Sequence, residues 1–378
     1  MKFVLAPDKY KESLSGDGFC NAVESGLRKV FSNAKIIKKP LADGGDGTIA
    51  VVKDYLDASL KKQLVKNPLF NTIEAEYLYS RKKKTAFIEM SEASGYKLLS
   101  DDEKNCRFTT SQGTGELIVA ALDEGAETIV LGIGGSATND GGMGIAVALG
   151  YRFLDENGEV LKPIGENLIK VKTIQRSNVH KRLKGTNFKV ACDVNNPFYG
   201  EQGAAHIYAG QKGASKEDIV FLDDGLKHFA AVLVNEFGVD VQRIPGSGAA
   251  GGVGGGAVVF LNAVLNSGID LIKEIADFDS AIKGADWIIT GEGKLDNQTF
   301  SGKTISGVVA SAKKQRIPVA AFCGAIDLTP EEQEAMGLTY ATSVLKNIGT
   351  LDDALRLSYD NLEFAAFNFA KILERNML

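Results

Sequence analysis

Residues 128–150, TIVLGIGGSATNDGGMGIAVALG, restrict the fold of this chain more than any other segment. A short apolar strand is predicted over residues 128–131, followed by a glycine-rich loop and an apolar helix. In this arrangement backbone N–H groups and a helix N-terminus can face an anion. The loop also carries Asp140, whose carboxylate would repel a phosphate unless a cation lay between them. The segment therefore predicts a site for phosphate and a metal ion, which is typical of phosphoryl transfer.

Three more segments combine glycine with polar or acidic residues. They are residues 42–48 (ADGGDGT), 246–256 (GSGAAGGVGGG) and 287–304 (WIITGEGKLDNQTFSGKT). Glycine costs conformational entropy wherever it lies, so four such loops at strand ends are more than tight turns require. We interpret them as parts of a ligand site.

The composition is that of a globular protein with an acidic balance. The chain has 378 residues, 44% hydrophobic and 24% charged, and a net charge of −5. The only basic block is residues 81–84, RKKK, which we interpret as a solvated hairpin turn, so a nucleic-acid partner is not expected. No apolar stretch approaches the length of about 20 residues that crosses a membrane, and the N-terminus lacks the apolar core of a signal peptide.

Cysteine and histidine usage excludes several enzyme classes. The four cysteines are far apart and form no C-x-x-C pair, which favours reduced thiols in a cytoplasmic protein. The three histidines have no metal-ligand spacing and do not accompany a G-x-S-x-G nucleophile motif. Zinc hydrolases and serine hydrolases are therefore not supported.

The order of predicted elements gives an α/β fold class with two domains. The first 60 residues alternate strand and helix, with Ser15 as the predicted N-cap of the first helix. Consecutive short strands begin at residue 61, and alternation returns after residue 279. We predict a discontinuous domain of residues 1–60 plus 280–378, with a doubly wound parallel, flavodoxin-like sheet, and an inserted domain of residues 61–279 with a mixed sheet. Long helices are expected over residues 216–237 and 352–375.

Two known nucleotide-binding motifs match only in part. Residues 132–137 fit G-x-G-x-x-A after a strand, and Asp155 follows about 20 residues later, as in dinucleotide-binding loops. Residues 139–142 delay the helix start, and an acid there would face the pyrophosphate, so an NAD(P)-dependent dehydrogenase is kept only as the alternative. Residues 301–304, SGKT, end like a P-loop, but Asn297 replaces the first glycine.

Acidic and basic side chains in the loops are candidates for the chemistry. Asp43 and Asp46 lie three apart among glycines, where one of them can cap a helix and the other can bind a metal ion. Asp193 ends the strand predicted over residues 188–193, and two asparagines follow it. A carboxylate in that position suits a metal ion or a substrate hydroxyl group.

Lysines occur beside acids in two further loops. Lys294 and Asp296 follow the strand of residues 287–290, so an acid for proton transfer and a cation for charge neutralisation lie close in sequence. Lys9 follows the first strand and could bind a carboxylate or a phosphate. Lys303 and Thr304 offer a cation and donors at a predicted helix start.

Five motifs taken in order resemble one family. APDKYKESLS, ADGGDGT, GIGGSATNDGG, ACDVNNPFYG and TGEGKLDNQT are similar to segments of the glycerate kinase family, the bacterial type that phosphorylates glycerate with ATP. The resemblance runs from residue 2 to about residue 325. It implies two α/β domains with a deep cleft, ATP and Mg²⁺ as the nucleotide and its metal ion, and D-glycerate as the acceptor.

Residue types then assign roles within a kinase of this kind. The catalytic candidates are Asp193 as the first choice of general base, Asp296 as the second choice, Lys9 and Lys294. The substrate and phosphate candidates are Gly134, Gly135, Ser136, Ala137, Thr138, Ser13, Lys303 and Thr304. Asp43, Asp46 and Asp140 are the candidate Mg²⁺ ligands. The product is expected to be 2-phosphoglycerate rather than 3-phosphoglycerate. The expected partners are ATP and D-glycerate, and a homo-oligomer stays open.

Overall fold

The computed structural model describes residues 1–10, 13–42, 48–296 and 304–375. The chain divides into two compact units: a terminal unit, Met1–Tyr55 with Ile269–Leu378, and a central unit, Leu56–Gly268. One unit holds a parallel sheet and the other a mixed sheet, which confirms the predicted α/β class. Among the described residues no helix is long and apolar enough to cross a membrane.

Strands and helices are numbered in chain order. The strands are β1 Lys2–Leu5, β2 Lys35–Lys38, β3 Ser59–Lys66, β4 Thr72–Ser80, β5 Thr85–Glu89, β6 Thr128–Gly132, β7 Arg152–Leu154, β8 Thr173–Gln175, β9 Asn187–Ala191, β10 Val264–Asn266, β11 Trp287–Thr290, β12 Lys294–Leu295, β13 Val319–Cys323, β14 Ala325–Ile326 and β15 Tyr340–Ser343. The helices are α1 Gly16–Arg28, α2 Thr48–Leu56, α3 Ser91–Ser94, α4 Gln112–Asp123, α5 Met143–Ala148, α6 Lys216–Phe237, α7 Ala249–Leu261, α8 Gly268–Ile275, α9 Phe278–Ala281, α10 Thr304–Gln315, α11 Pro330–Met336, α12 Leu351–Arg356 and α13 Ser358–Arg375.

The terminal unit is built on five parallel strands in the order β15-β13-β11-β1-β2. Numbered by their order along the chain, these strands read 2-1-3-4-5, the flavodoxin-like order. The order reverses between β1 and β11, and ligands of such sheets bind outside the carboxyl ends at that reversal. Strand β13 is buried along its whole length, as expected for a strand with helices on both faces.

The central unit has six strands in the order β10-β9-β6-β5-β4-β3. Strands β5, β6, β9 and β10 are parallel, whereas β3 and β4 are antiparallel to their neighbours. The four parallel strands place their carboxyl ends at one edge, at Glu89, Gly132, Ala191 and Asn266. Residues 81–84 form the exposed turn between β4 and β5, as predicted for the RKKK block.

Local capping signals explain where the predicted helices begin and end. The Ser15 side chain accepts a 3.0 Å hydrogen bond from the Gly18 N–H and caps α1. Helix α6 covers the predicted residues 216–237, between the capping box of Ser215 and Gly238, which has a φ of 71°. The single helix predicted over residues 352–375 is wrong, because the chain forms α12 and α13 with a non-helical Leu357 between them.

The prediction of a loop over residues 246–256 is wrong only for its second half. Residues 246–248 form a turn after the short 3₁₀ turn Val241–Arg243, and residues 250–252 have the positive φ values of a kink at the start of α7. Regular helix begins only at Val253. The glycines of this segment allow close packing: a Cβ at Gly252 would lie 2.9 Å from the Gly141 Cα, and Gly252 has a φ of 88°. Both the left-handed backbone of the kink and close tertiary contact therefore explain the glycine content.

Candidate functional site

The glycine-rich loop after β6 lies at the carboxyl edge of the central sheet and is pinned to the segment after β5. The Tyr96 N–H donates to the Gly135 carbonyl at 3.0 Å, and the Ala137 N–H donates to the Ser94 carbonyl at 2.9 Å. These two bonds enclose Ser136 without using its own backbone groups, which therefore point away from the paired segment. The Ala137 amide is thus part of the framework, while the Ser136 N–H makes no bond to the paired segment.

Asp140 is fully buried and surrounded by donors. Its Oδ2 accepts from the Ser111 N–H at 2.7 Å, the Ser111 hydroxyl at 2.8 Å and the Gly144 N–H at 3.2 Å. Its Oδ1 accepts from the Gly142 N–H at 3.1 Å. Burial raises the pKa of Asp140, and these donors act in the opposite direction. The carboxylate joins the starts of α4 and α5 to the loop, and its assignment as a metal ligand stays a prediction.

Lys212 is a buried cation beside the same loop that the sequence did not indicate. Its Nζ donates to the Ser136 Oγ at 2.7 Å and to the Thr138 carbonyl at 2.8 Å, and the residue is only 5% exposed. Burial lowers the pKa of Lys212 to about 8. Within the described parts of the chain, no carboxylate forms an ion pair with it. Since 76 residues separate Lys212 from Ser136, no local pattern could have revealed this contact.

Several buried polar side chains near this edge have no hydrogen-bond partner among the described residues. They include the Thr138 Oγ1, both amide atoms of Asn139, the Ser247 Oγ and the Asn266 Oδ1. Buried polar groups in folded proteins almost always have partners, so such orphans point to a water or a ligand. Gly251 lies against this part of the loop, since a Cβ there would be 2.1 Å from the Thr138 carbonyl oxygen.

Glu89 is a second residue that the sequence interpretation missed. It ends β5 in register with Gly132, and a Cβ at Gly132 would lie 2.4 Å from the Glu89 Oε2. Burial, together with a smaller effect of Glu92 that Lys97 opposes, raises the pKa of Glu89 to about 7. Its signal was an acid at the end of an apolar strand, the same signal that singled out Asp193.

Asp193 lies two residues after β9, on the exposed surface of the loop. Its Oδ1 accepts a 2.8 Å hydrogen bond from the Gly268 N–H, the first residue of α8. Asn196, farther along the loop, donates to the Gln202 carbonyl and accepts from the Tyr208 hydroxyl. The loop is therefore held by its amides, while the Asp193 carboxylate stays near the surface.

In the terminal unit, Asp8 connects the loops at the strand reversal. Its N–H donates to the Gly291 carbonyl at 2.9 Å, its Oδ2 accepts from the Thr304 hydroxyl at 2.6 Å, and its Oδ1 accepts from the Lys9 N–H at 2.7 Å. Thr304 is fully buried and begins α10. The structure thus brings the predicted Thr304 hydroxyl to a carboxylate that the sequence analysis did not select. The bond from Lys9 comes from its backbone N–H, which follows Asp8 directly in the chain.

Lys294 and Asp296 do lie together, but on an exposed segment. The Lys294 side chain is 54% exposed, and its Nζ lies 3.0 Å from the Asp327 Oδ2 and 3.7 Å from the Asp296 Oδ2. The Asp327 hydrogen bond, with a smaller effect of Asp296, raises the pKa of Lys294. Its charge is therefore already shared between two acids.

The remaining candidates lie at or beyond the ends of the described ranges. Lys9 lines a cavity of about 310 Å³ in the terminal unit, together with Asp8, Ser15, Lys38, Asp54 and Tyr55 among others. The Ser13 N–H donates to the Tyr10 carbonyl in a turn. Asp43, Asp46 and Lys303 lie outside the described residues. Within the described ranges, no group of three or more His, Cys, Asp or Glu residues could hold a metal ion.

Comparisons with known proteins agree along the whole chain. Residues 3–374 match the model of the glycerate kinase family. The glycerate kinase of Halalkalibacterium halodurans is 44% identical over 99% of this chain and 98% of its own, and the glycerate 2-kinase of Escherichia coli is 42% identical over 100% and 99%. A crystal structure provisionally named glycerate kinase 2, from Salmonella typhimurium LT2, is 40% identical, with a TM-score of 0.89 over 100% of this chain and 99% of that one.

These findings do not support the dehydrogenase alternative. The named relatives above are kinases, and the glycine loop departs from a dinucleotide site in two respects. Helix α5 begins only at Met143, after the segment that the dinucleotide motif would place in the helix. Asp155, the expected ribose ligand, accepts from the Asn157 and Glu159 N–H groups and stabilises a turn.

Proposed function

Because the chain belongs to the glycerate kinase family, we propose that it transfers the γ-phosphoryl group of ATP to the 2-hydroxyl group of D-glycerate. The protein is an enzyme, a kinase that acts on glycerate. The 2-hydroxyl group is favoured because the Escherichia coli relative, which aligns over the full length, carries the name glycerate 2-kinase. The match of residues 3–374 to one family is the observation that carries the proposal.

The glycine loop of the central unit supports a phosphate-binding role. Donors that can meet an oxyanion are the amide and the hydroxyl of Ser136 and the unpartnered hydroxyl of Thr138. Gly134 and Gly135 leave the backbone accessible, whereas the Ala137 amide is already used. We therefore assign Gly134, Gly135, Ser136 and Thr138 to phosphate and Ala137 to the framework.

The acceptor side of the reaction needs a base and a cation. We keep Asp193 as the general base, because its carboxylate lies near the surface of a loop at the carboxyl edge of the central sheet. Asp296 is the second candidate. Lys9, which lines the cavity of the terminal unit, is preferred as the residue that offsets substrate charge, and Lys294 is the second candidate. Ser13 and Lys303 remain candidates for substrate contacts.

The residues of the terminal unit fit a magnesium ion bound together with ATP. Mg²⁺ in kinases is usually held by one or two carboxylates plus substrate phosphates, so a complete protein cage is not required. The Asp8 carboxylate beside the Thr304 hydroxyl is such a donor set. Asp43 and Asp46 are further candidates outside the described residues. The bound ion would neutralise charge on the phosphates. A cytoplasmic location, where ATP is available, is part of the proposal, and a homo-oligomer stays a prediction.

The proposed reaction is tested by product analysis. Purified protein is mixed with Mg-ATP and D-glycerate, and ADP formation is compared with that in samples that lack glycerate or Mg²⁺. Phosphorus NMR should show 2-phosphoglycerate. Appearance of 3-phosphoglycerate would correct the site of transfer, and ADP formation that does not depend on glycerate would overturn the proposal.

Asp193→Asn tests the general base. Removing a proton acceptor in contact with the reacting hydroxyl group is expected to lower kcat about a hundredfold or more, with little change in melting temperature. Steady-state kinetics measure the effect, and Asp327→Asn, at an exposed acid of the terminal unit, is the control. Turnover within a few-fold of the wild type would remove Asp193 from this role.

A further inference from the structure

We propose that Lys212 is a positioning residue that aims the Ser136 hydroxyl at an oxyanion of a substrate. The inference rests on the proposed kinase function and names a residue that the function itself did not require. An ammonium group can only donate hydrogen bonds. In the 2.7 Å contact the Ser136 Oγ is therefore the acceptor, and its own O–H is left as a donor. Within the described residues, Ser136 gives that proton to no other group.

The backbone at Ser136 points to the same use. Ser136 pairs with Gly95 of the segment after β5, and the two hydrogen bonds of this bridge are made by Gly135 and Ala137. The Ser136 N–H is therefore directed away from that segment. Gly135 has a φ of +67°, which turns the chain sharply at this point. A Cβ at Gly134 would meet no described heavy atom within 4 Å, so this side of the loop has room for a ligand. One residue thus offers two donors beside open space.

A second bond from Lys212 fixes the far side of the loop. Its Nζ also donates to the Thr138 carbonyl at 2.8 Å, so one ammonium group spans Ser136 and Thr138. The unpartnered Thr138 Oγ1 and the Asn139 amide follow directly in the sequence. Donors held in place before the ligand arrives lose little entropy on binding, which is the advantage of such a clamp.

The groups around the charge of Lys212 differ from those around a purely structural lysine. Lys273, which is also buried, pairs with Asp270 at 2.8 Å and donates to the Gly307 carbonyl at 3.1 Å. Lys212 has carbonyl and hydroxyl partners but no contacting carboxylate among the described residues, and the groups that act on it at longer range are Cys106 and Asp140. A buried charge is unfavourable unless it is partnered. A substrate oxyanion held by Ser136 would supply the missing negative charge next to it.

Binding measurements on four variants test the proposal. Dissociation constants of Mg-ADP and of D-glycerate are measured by calorimetry for Ser136→Ala, Lys212→Met, the double variant and Lys273→Met. Loss of a charge-assisted hydrogen bond predicts about tenfold weaker binding of one ligand in each of the first two variants. The double variant should bind no more weakly than Lys212→Met, since both changes remove the same contact. Lys273→Met should lower the melting temperature and leave both dissociation constants unchanged.

The two ligands identify the source of the oxyanion. Weaker Mg-ADP binding assigns the contact to the phosphate chain, and weaker D-glycerate binding assigns it to the carboxylate. Unchanged affinity for both ligands in Ser136→Ala overturns the proposal, and that variant keeps the test decisive if Lys212→Met does not fold. Additive losses in the double variant would also overturn it, because Lys212 would then not act through Ser136. A wild-type protein that binds Mg-ADP but forms no glycerate-dependent ADP would refute the kinase function and leave this inference standing.

Discussion

The two sheets end in loops of similar composition, but the charged side chains of these loops are buried in one unit and more exposed in the other. At the carboxyl edge of the central sheet, Asp140 is fully buried and Lys212 is 5% exposed. At the corresponding edge of the terminal sheet, the Lys294 side chain is 54% exposed and the Asp296 side chain 23%. Glycine, an acid and a lysine therefore build an interior hydrogen-bonded framework in one unit and a surface ion pair in the other.

Burial decides how much each of these groups contributes. In the central loop the buried Asp140 and Lys212 side chains have fixed hydrogen-bond partners, because an unpartnered charge inside a protein is strongly unfavourable. In the terminal unit water solvates the Lys294 pair, and exposed pairs contribute only about 0–1 kcal/mol. The comparison implies that loss of an acid or a lysine should lower the free energy of unfolding far more in the central loop than in the terminal one.

The largest effect is expected for Asp140→Ala. Removing the carboxylate leaves the Ser111, Gly142 and Gly144 donors without their acceptor in a buried site. Each buried donor left unsatisfied costs about 1–3 kcal/mol, so we expect the free energy of unfolding, measured by urea denaturation, to fall by about 3–5 kcal/mol. Asp327→Ala, at an acid that is 72% exposed, should change it by less than about 1 kcal/mol. Equal losses of unfolding free energy in the two variants would contradict the inference that burial sets the size of the effect.

A smaller, pH-dependent effect is expected for Glu89→Gln. The pKa of Glu89 is raised from 4.5 to about 7 in the folded protein, so the folded state binds this proton more tightly than the unfolded state. The stability that Glu89 contributes is complete below pH 4.5 and is lost as the pH rises through 7. Between pH 5 and 8 the wild type should lose about 1–3 kcal/mol of unfolding free energy relative to the glutamine variant.

Parallel denaturation curves at both pH values measure this difference. Glu201→Gln, at an exposed acid, is the matched control and should follow the wild type. If Glu89→Gln also follows the wild type, the carboxyl group of Glu89 is not desolvated in the folded protein. The buried part of this sheet edge would then not include the end of β5.

Much of the fold could be predicted because its signals are local. Helix α6 was predicted with its observed ends, since Ser215 and Gly238 mark them in the sequence. The alternation of strands and helices predicted the parallel sheet of the terminal unit. Residues 253–256 were misread as loop, because Gly255 and Gly256 serve packing against Phe198 and Gly141, which are distant in sequence. The break at Leu357 had no sequence signal that we recognised.

The candidate site was predictable only where one loop supplies all of its parts. The glycine loop with Ser136, Thr138 and Asp140 is a continuous segment, and the structure places it at a strand end. Lys212 could not be found, because it reaches the loop through the fold and its neighbours in sequence, Gln211 and Gly213, carry no motif. The reverse holds for Lys294: its sequence neighbours suggested a functional cation, whereas its partner Asp327 lies 33 residues away.

The smallest effect is expected for Lys294→Met. Measured beside Lys212→Met, this variant compares the loss of an exposed lysine directly with the loss of a buried one. Because Asp327 and Asp296 already neutralise Lys294 at the surface, its loss should change the unfolding free energy by less than about 1 kcal/mol. We expect kcat/KM for glycerate to stay within about tenfold of the wild type, since an exposed charge stabilises a transition state only weakly. A hundredfold loss of kcat/KM with unchanged stability would show that Lys294 leaves its acidic partners and contacts the substrate. The exposed Lys294 would then be the functional cation, and burial of a charged side chain would not distinguish the two loops in their effect on activity.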